Sequence, residues 1–478
     1  MVYQLTVIGY VAILIAISVY FSLRVKTKDD FIVAGRRLTW PILVGTLLAT
    51  WIGSGSIFGG GTLGYRQGFA ALWQPAGAWF GIIVIYFVAA KARRFGQFTV
   101  PDLMEARYNA TARVLATIAT VLSYTIIVSY QFRGGARVIE LVFPGVSYEM
   151  GVFYTFIFAT AFTVLAGLMS VAYTDIANGS IIVIATSIAV PTLIVTAGGW
   201  SEVRANLDPS HFTMLGTMTF KEAMNYFLPT MFLLLGNAGM YQRFFAARDE
   251  REARRSVVGW VIGLLLVETL VIALAVIGSS MPQFQNLEAS ESIIPAVARQ
   301  GLPVVIGCLM LAAIVAIVLS TANSFLLVPA TNMARDVYQR FVNPDASERQ
   351  VLLLSRVSVV LLALLAFVMS MRFFDDILDA VVAAYTIYGA SIAPALLAIF
   401  FWKRATPAGG SSSILAGFAV GVIWEIWRGF DLGGTGGFPF GLETIYSSLV
   451  ASFLALVVVS MITPARQADS LAAASPSE

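Results

Sequence analysis

Residues 49–61 read Ala49-Thr50-Trp51-Ile52-Gly53-Ser54-Gly55-Ser56-Ile57-Phe58-Gly59-Gly60-Gly61. Five glycines and two serines in this stretch weaken a helix, because each glycine costs about 1 kcal/mol against alanine. Yet the stretch lies within an apolar run long enough to span a bilayer. Gly236-Asn237-Ala238-Gly239 repeats the anomaly in the middle of a later apolar run. Interrupted spans at corresponding places in two halves point to an inverted repeat with a binding site between them. An unwound helix frees carbonyls for a cation and amides for an anion, and it survives in lipid only where it lines a protein cavity. Close helix packing is the competing explanation, since small residues let membrane helices approach one another. Glycine content alone does not choose between the two.

The surrounding chain settles the class. Of 478 residues, 58% are hydrophobic and 12% are charged, against about 25% charge in soluble domains. The apolar residues form long runs, which read as membrane-spanning helices; the short alternating segments of a β-barrel are absent. One cysteine, Cys308, and one histidine, His211, rule out a disulfide framework and argue against a Cys/His metal site. Cys308 reads as a small apolar core residue. The formal net charge of +3 points to no nucleic acid, because the basic residues flank membrane spans.

About thirteen spans of roughly twenty residues follow from this pattern. They run near 4–23, 40–65, 72–92, 114–140, 149–170, 174–197, 223–246, 257–280, 302–334, 352–371, 376–401, 413–428 and 443–463. The first lacks the basic start and small-residue cleavage site of a signal peptide. With the N-terminus outside and the C-terminus inside, 22 of the 30 basic residues face the cytoplasm and six face outward. The other two, Arg133 and Arg137, fall within a span. No stretch is long enough for a soluble catalytic domain, and residues 464–478 read as a disordered cytoplasmic tail. The expected organisation is an extra N-terminal span and loop at 1–39, a first repeat at 40–200, a second at 201–405, and two extra spans at 406–463.

Four motifs, in order, carry a family resemblance. They are Asp30-Phe31-Ile32-Val33-Ala34-Gly35-Arg36-Arg37, Gly167-Leu168-Met169-Ser170-Val171-Ala172-Tyr173-Thr174-Asp175, the segment from Asn237 to Tyr241-Gln242-Arg243, and Leu319-Ser320-Thr321-Ala322-Asn323-Ser324. Together they resemble the sodium:solute symporter family, whose members move proline, sugars, sialic acid, choline and similar solutes. Asn178 stands where many members have glutamine.

The resemblance implies an all-α membrane fold of the leucine-transporter type: an inverted five-plus-five repeat with extra helices at both ends, in the inner or plasma membrane. It implies Na+ as coupling ion and a small organic solute as cargo, with no obligate protein partner and no enzymatic activity. Its sodium position maps onto the carbonyls of Ala49, Ile52 and Ile317 and the hydroxyls of Ser320 and Thr321. The chemistry is apt on its own terms, because carbonyls and hydroxyls ligate a hard cation without burying a carboxylate. Without the family context, those two hydroxyls would be read as bonding the carbonyl one turn back. Some members hold a second sodium, which maps onto Asp175, Asn323 and Ser324 together with Ser320. An intramembrane aspartate costs about 3 kcal/mol by insertion scales and is a functional hypothesis by default; Asp175 is equally placed to cap the sixth span.

For the solute, the candidate residues are Trp51, Ser54, Ser56, Gln74, Tyr130, Gln131, Arg133 and Asn237. Arg133 and Arg137 lie one turn apart and share a helix face. Glu140 offers Arg137 a structural partner at i+3, while Arg133 suits a bidentate carboxylate on a solute. Pairing with Glu140 or reaching to the interface is the alternative for Arg133. No branch of the family fits throughout. Trp51 to Gly55 looks like the choline branch, yet Asn237 stands where that branch has tryptophan. Gly135 to Glu140 looks like the proline branch, yet that branch has aspartate where Trp51 stands. Leu233 and Leu234 replace the aromatic pair of sugar members. Two other functions compete with sodium symport. One is a proton-coupled transporter or exchanger, with Glu268 and Glu425 as proton carriers; the other is a membrane sensor.

Overall fold

The computed structural model describes residues 1–22, 32–96, 98–165, 168–372, 376–432 and 437–464. The expected 464–478 tail except Pro464, together with Asp30 and Phe31 of the first motif and Gly167 of the second, lies outside these. Among the described residues there is no β-strand; one bridge pairs Leu38 with Ala247.

The main helices are α1 (Val2–Ser22), α2 (Trp40–Trp51), α3 (Gly60–Gln67), α4 (Trp73–Phe95), α5 (Val100–Arg107), α6 (Ala110–Val142), α7 (Tyr148–Leu165) and α8 (Leu168–Thr196). They continue with α9 (Phe220–Gly236), α10 (Ala238–Ala246), α11 (Glu250–Ser279), α12 (Val304–Asn332), α13 (Glu348–Arg372), α14 (Ile377–Phe401), α15 (Pro407–Gly429) and α16 (Thr444–Ile462). The expected spans follow these helices, two of them on the broken pairs α2–α3 and α9–α10, except that the fifth, 149–170, extends past α7 into the first residues of α8. Eleven helical stretches among the described residues are long and apolar enough to cross a membrane. The pair α9–α10 supplies none of them, its halves being 17 and 9 residues long.

Polar residues just outside the apolar runs set where helices begin. The side chains of Asn109, Asp249, Asp376 and Thr406 each accept a hydrogen bond from a backbone N–H in the first turn that follows. Thr219 and Glu222 form a reciprocal capping box at the head of α9.

Burial separates scaffold from hub. The most apolar part of α14 is 83% buried and that of α12 is 72% buried, whereas that of α1 is 17% buried. Thus α12 and α14 are enclosed by protein, and α1 presents most of its surface to the surroundings. Helix α12 packs on α6 and α8, α14 on α6 and α9, and α2 on α8 and α11. At one end of α12 a π-helical segment, Met333–Val342, carries Asp336 and Arg335 into an ion-pair cluster. Arg113 bonds Asp102, Glu105 and Asp336, and Arg335 donates to Asp102 at 3.1 Å. Burial pushes the Glu105 carboxyl up, but hydrogen bonds from Arg340 and Arg113 outweigh it and hold the group below its ordinary value.

Close packing of α4 on α9 depends on Gly77. A Cβ there would lie 2.1 Å from the carbonyl oxygen of Phe227, so backbone must move. Gly77→Ala is expected to destabilise the protein by about 1–3 kcal/mol through overpacking, read as a lower unfolding temperature in detergent. Gly9→Ala, where nothing lies within 4 Å, is the control and is expected to be neutral or slightly stabilising.

Candidate ion and solute site

Helix α2 ends at Ile52, whose φ of −73° and ψ of 109° turn the chain out of the helix. A π-helical turn, Gly55–Gly59, then leads into α3. The break leaves the last carbonyls of α2 without amide donors one turn on, and hydroxyls of α12 meet them. Thr321 donates to the carbonyl of Ile52 at 3.0 Å and to that of Ala49 at 3.3 Å. Ser320 donates to Ala49 at 3.2 Å and also bonds Asp175. Ile317 precedes them by one turn on the same helix and is buried. Four of the five expected sodium ligands therefore converge within hydrogen-bond distance, and the fifth is on the adjoining turn. Gln131 of α6 caps the broken end, accepting from the Ser54 N–H at 3.0 Å. A Cβ on Gly53 would lie 2.8 Å from Thr321 and 2.9 Å from Gln131, so the chain passes at a distance only glycine permits.

The second break mirrors the first. Helix α9 ends at Asn237, with φ −60° and ψ 105°. The side chain of Asn237 accepts from the Met240 N–H at 2.9 Å and so starts α10. Tyr388 accepts from the Ala238 N–H and donates to the carbonyl of Gly236, and the Tyr124 hydroxyl accepts from the Gly239 N–H at 3.4 Å. Tyrosine hydroxyls from α6 and α14 thus satisfy backbone groups that the break releases. Asn237, one of the expected solute residues, is thus the cap of this helix.

The second set of expected ion ligands is arranged differently from the first. Asp175 is fully buried and pairs with Arg243 of α10 at 3.3 Å. Arg243 also donates to Ser324 at 2.9 Å, to Thr46 at 2.8 Å and to the carbonyl of Gly239 at 3.0 Å. Thr46 in turn donates to Asp175 at 2.6 Å. A guanidinium therefore sits among the oxygens of Asp175, Ser324, Thr46 and Gly239. Asn323 is buried with both side-chain polar atoms unpartnered and does not join them.

A cavity of about 20 Å³, room for about one water, lies beside the first break. Trp51, Gly55, Ser56, Gln74, Glu268 and Tyr385 are among the residues lining it. Of the expected solute residues, Trp51, Ser56 and Gln74 are thus brought together. Tyr130 stands just behind, its hydroxyl 3.6 Å from where a Cβ on Gly55 would be. Ser54 is buried against Gly134, and Gln131 belongs to the helix break. Arg133 does not line the cavity; its Nε donates to the Tyr148 hydroxyl at 3.0 Å. Arg137 pairs with Glu140 as expected from their spacing, and more closely with Glu291 at 2.6 Å. Glu425 pairs with Arg428 and accepts from Thr444.

Comparison with known proteins gives this geometry a context. The pattern of the sodium:solute symporter family matches residues 31–417. The chain belongs to that family. The symporter is accordingly a multi-pass plasma-membrane transporter with Na+ as its coupling ion. Sodium/proline symporters of two Staphylococcus aureus strains, bovine RF122 / ET3-1 and JH9, are each 25% identical to it and are matched over 95% of this chain and 91% of their own length. A solved structure of a Na+-coupled sialic acid symporter, in a substrate-bound outward-open state, superimposes with a TM-score of 0.81 at 18% identity, covering 98% of this chain and 99% of that one. A nucleobase-cation-symport-1 family transporter in a closed conformation gives 0.61 at 11% identity, covering 92% and 97%. These likenesses establish the leucine-transporter-type fold of the symporter.

Proposed function

We propose that this symporter imports a small organic solute together with one sodium ion per cycle, with its N-terminus outside and its C-terminus in the cytoplasm. Sodium is held by the carbonyls of Ala49, Ile52 and Ile317 and the hydroxyls of Ser320 and Thr321. The observation that carries this reading is the meeting of Thr321 with both Ala49 and Ile52 at the broken end of α2. Residues 40–200 and 201–405 act as the two repeats, and their breaks at Ile52 and Asn237 adopt nearly the same backbone angles. Sodium between α2 and α12 favours the outward-open state through its greater affinity for that state. One net charge crossing 100 mV adds about 2.3 kcal/mol of drive.

One ion rather than two follows from Arg243. Its guanidinium takes the place beside Asp175 and Ser324 that a second sodium would need. The solute occupies the region beside Trp51, Ser56, Gln74 and Tyr385, in a conformation wider than the one-water cavity of this structure. A carboxylate bound by Arg133 draws no support from the geometry, because Arg133 donates to Tyr148 and does not line the cavity. Proton coupling is the second reading, favoured by the presence of Glu268 in the cavity.

Thermal stability of the purified protein against a solute library, in sodium or in potassium, separates these readings. A solute at about 100 times its Kd stabilises by about 2.7 kcal/mol. Stabilisation by one class of solute in sodium alone is expected. Equal stabilisation in both salts contradicts sodium coupling.

A further inference from the structure

We infer that the cavity beside Trp51 selects solutes bearing a cationic nitrogen, which Glu268 pairs through its Oε2 while Trp51 and Tyr385 provide aromatic cover. This rests on the proposed solute position and adds the class of solute it takes. Glu268 is 4% exposed and lines the cavity. Its Oε1 accepts hydrogen bonds from the Trp51 indole N–H at 3.2 Å and from the Ser56 hydroxyl at 3.1 Å. Its Oε2 is buried and makes no hydrogen bond of ordinary length, although the Trp79 indole N–H, likewise buried and unbonded, lies near the carboxyl. The Trp51 and Ser56 donors fix the carboxyl in place and leave Oε2 open to a further donor, the Trp79 indole or a solute N–H.

Other carboxylates buried within this protein have a guanidinium beside them. Asp175 has Arg243, Asp336 has Arg113 and Glu291 has Arg137. Among the described residues Glu268 has none of these arginines as a partner, and its bonds come from neutral groups. A buried carboxylate without a counter-ion costs several kcal/mol and in an empty site takes up a proton instead, so the site calls for a positive charge. A bound ammonium provides it. The ring centroids of Trp51 and Tyr385 lie 6.3 Å apart with planes tilted by 37°, and both rings line the cavity. A cation within about 6 Å of such rings is attracted by their electron-rich faces. An anionic solute would instead meet the Glu268 carboxylate with no arginine among the lining residues to offset it.

The test uses purified full-length protein in sodium and four probes: tetramethylammonium, choline, pyrrolidinium and proline. Each is compared with an uncharged carbon isostere, such as 3,3-dimethylbutan-1-ol for choline and cyclopentane for pyrrolidinium. At least one charged probe is expected to raise the unfolding temperature while its isostere does not. Glu268→Gln is expected to weaken binding of that probe at least 10-fold, and Glu268→Asp, which keeps the charge, by less. Binding of radiolabelled sodium to the solute-free protein is measured alongside. Failure of all four probes, equal effects of the isosteres, or unchanged affinity in Glu268→Gln overturns the inference, and with sodium binding intact the symport reading stands. Absence of sodium binding in the wild type points instead to failure of the symport reading itself.

Discussion

Replacing Ser320 and Thr321 together by alanine raises the sodium concentration needed for half-maximal uptake by at least about 10–100-fold. That is the loss typical when only an outer partner of a metal ligand is removed, and here two direct ligands go. The physical basis is that the two hydroxyls face carbonyls which the broken helix leaves without amide donors. Each is within 3.3 Å of the Ala49 carbonyl, so an ion at this junction loses two of its five oxygens at once. The variant also leaves the Ala49 and Ile52 carbonyls and Asp175 short of a donor, at about 1–3 kcal/mol each, so its unfolding temperature is measured alongside uptake. Thr321→Val, which keeps the volume and removes only the hydroxyl, should reproduce the Thr321 part of the effect. Sodium dependence of uptake in proteoliposomes checks this, and an unchanged dependence removes these residues from the ion site.

The second large effect is expected at Arg243. Arg243→Ala should destabilise the protein by about 3–5 kcal/mol, because breaking a buried pair leaves an uncompensated charge. Asp175 and Arg243 are both essentially inaccessible to solvent, and Thr46 and Ser320, the hydroxyls that donate to the aspartate, carry no charge to neutralise it. Removing both charges in Asp175→Asn with Arg243→Gln should recover part of that loss, as paired deletions of buried ions often do. If the guanidinium stands in for a second cation, the single variant should also become unusually dependent on sodium. The ion would then enter beside Asp175, and adding sodium should raise the unfolding temperature of Arg243→Ala more than that of the wild type. Thermal unfolding across a sodium series reads both effects, and a mild phenotype without added sodium dependence would show that Arg243 is not acting as the tethered cation.

Local signals in the sequence carried much of this. The spans were legible because a bilayer demands about twenty apolar residues, and α12 and α14 meet that demand plainly. The glycines around Ile52 are compatible with a break or with close packing; the family resemblance decides for the break and sets it against Ser320 and Thr321. What escaped were contacts between distant residues. Arg243 was visible as the end of a motif, but nothing local shows that it reaches Asp175, which lies 68 positions away. For Arg133, helix spacing shows the neighbouring Arg137 but cannot show Tyr148, on the next helix, accepting its bond. Asn237 sits at a break, and its position there does not tell from the sequence that its side chain caps α10. Glu268 had been noticed only as a proton carrier. Its bonds to Trp51 and Ser56 span 217 and 212 residues and exist only once α11 packs on the broken helix.

The central claim is a single sodium ion bound between α2 and α12, and equilibrium binding of radiolabelled sodium to the purified protein tests it most directly. The account predicts saturation at one ion per chain, with binding lost in the variant carrying Ser320→Ala and Thr321→Ala. Two ions per chain in the wild type, or one ion still bound with undiminished affinity in that variant, would contradict it.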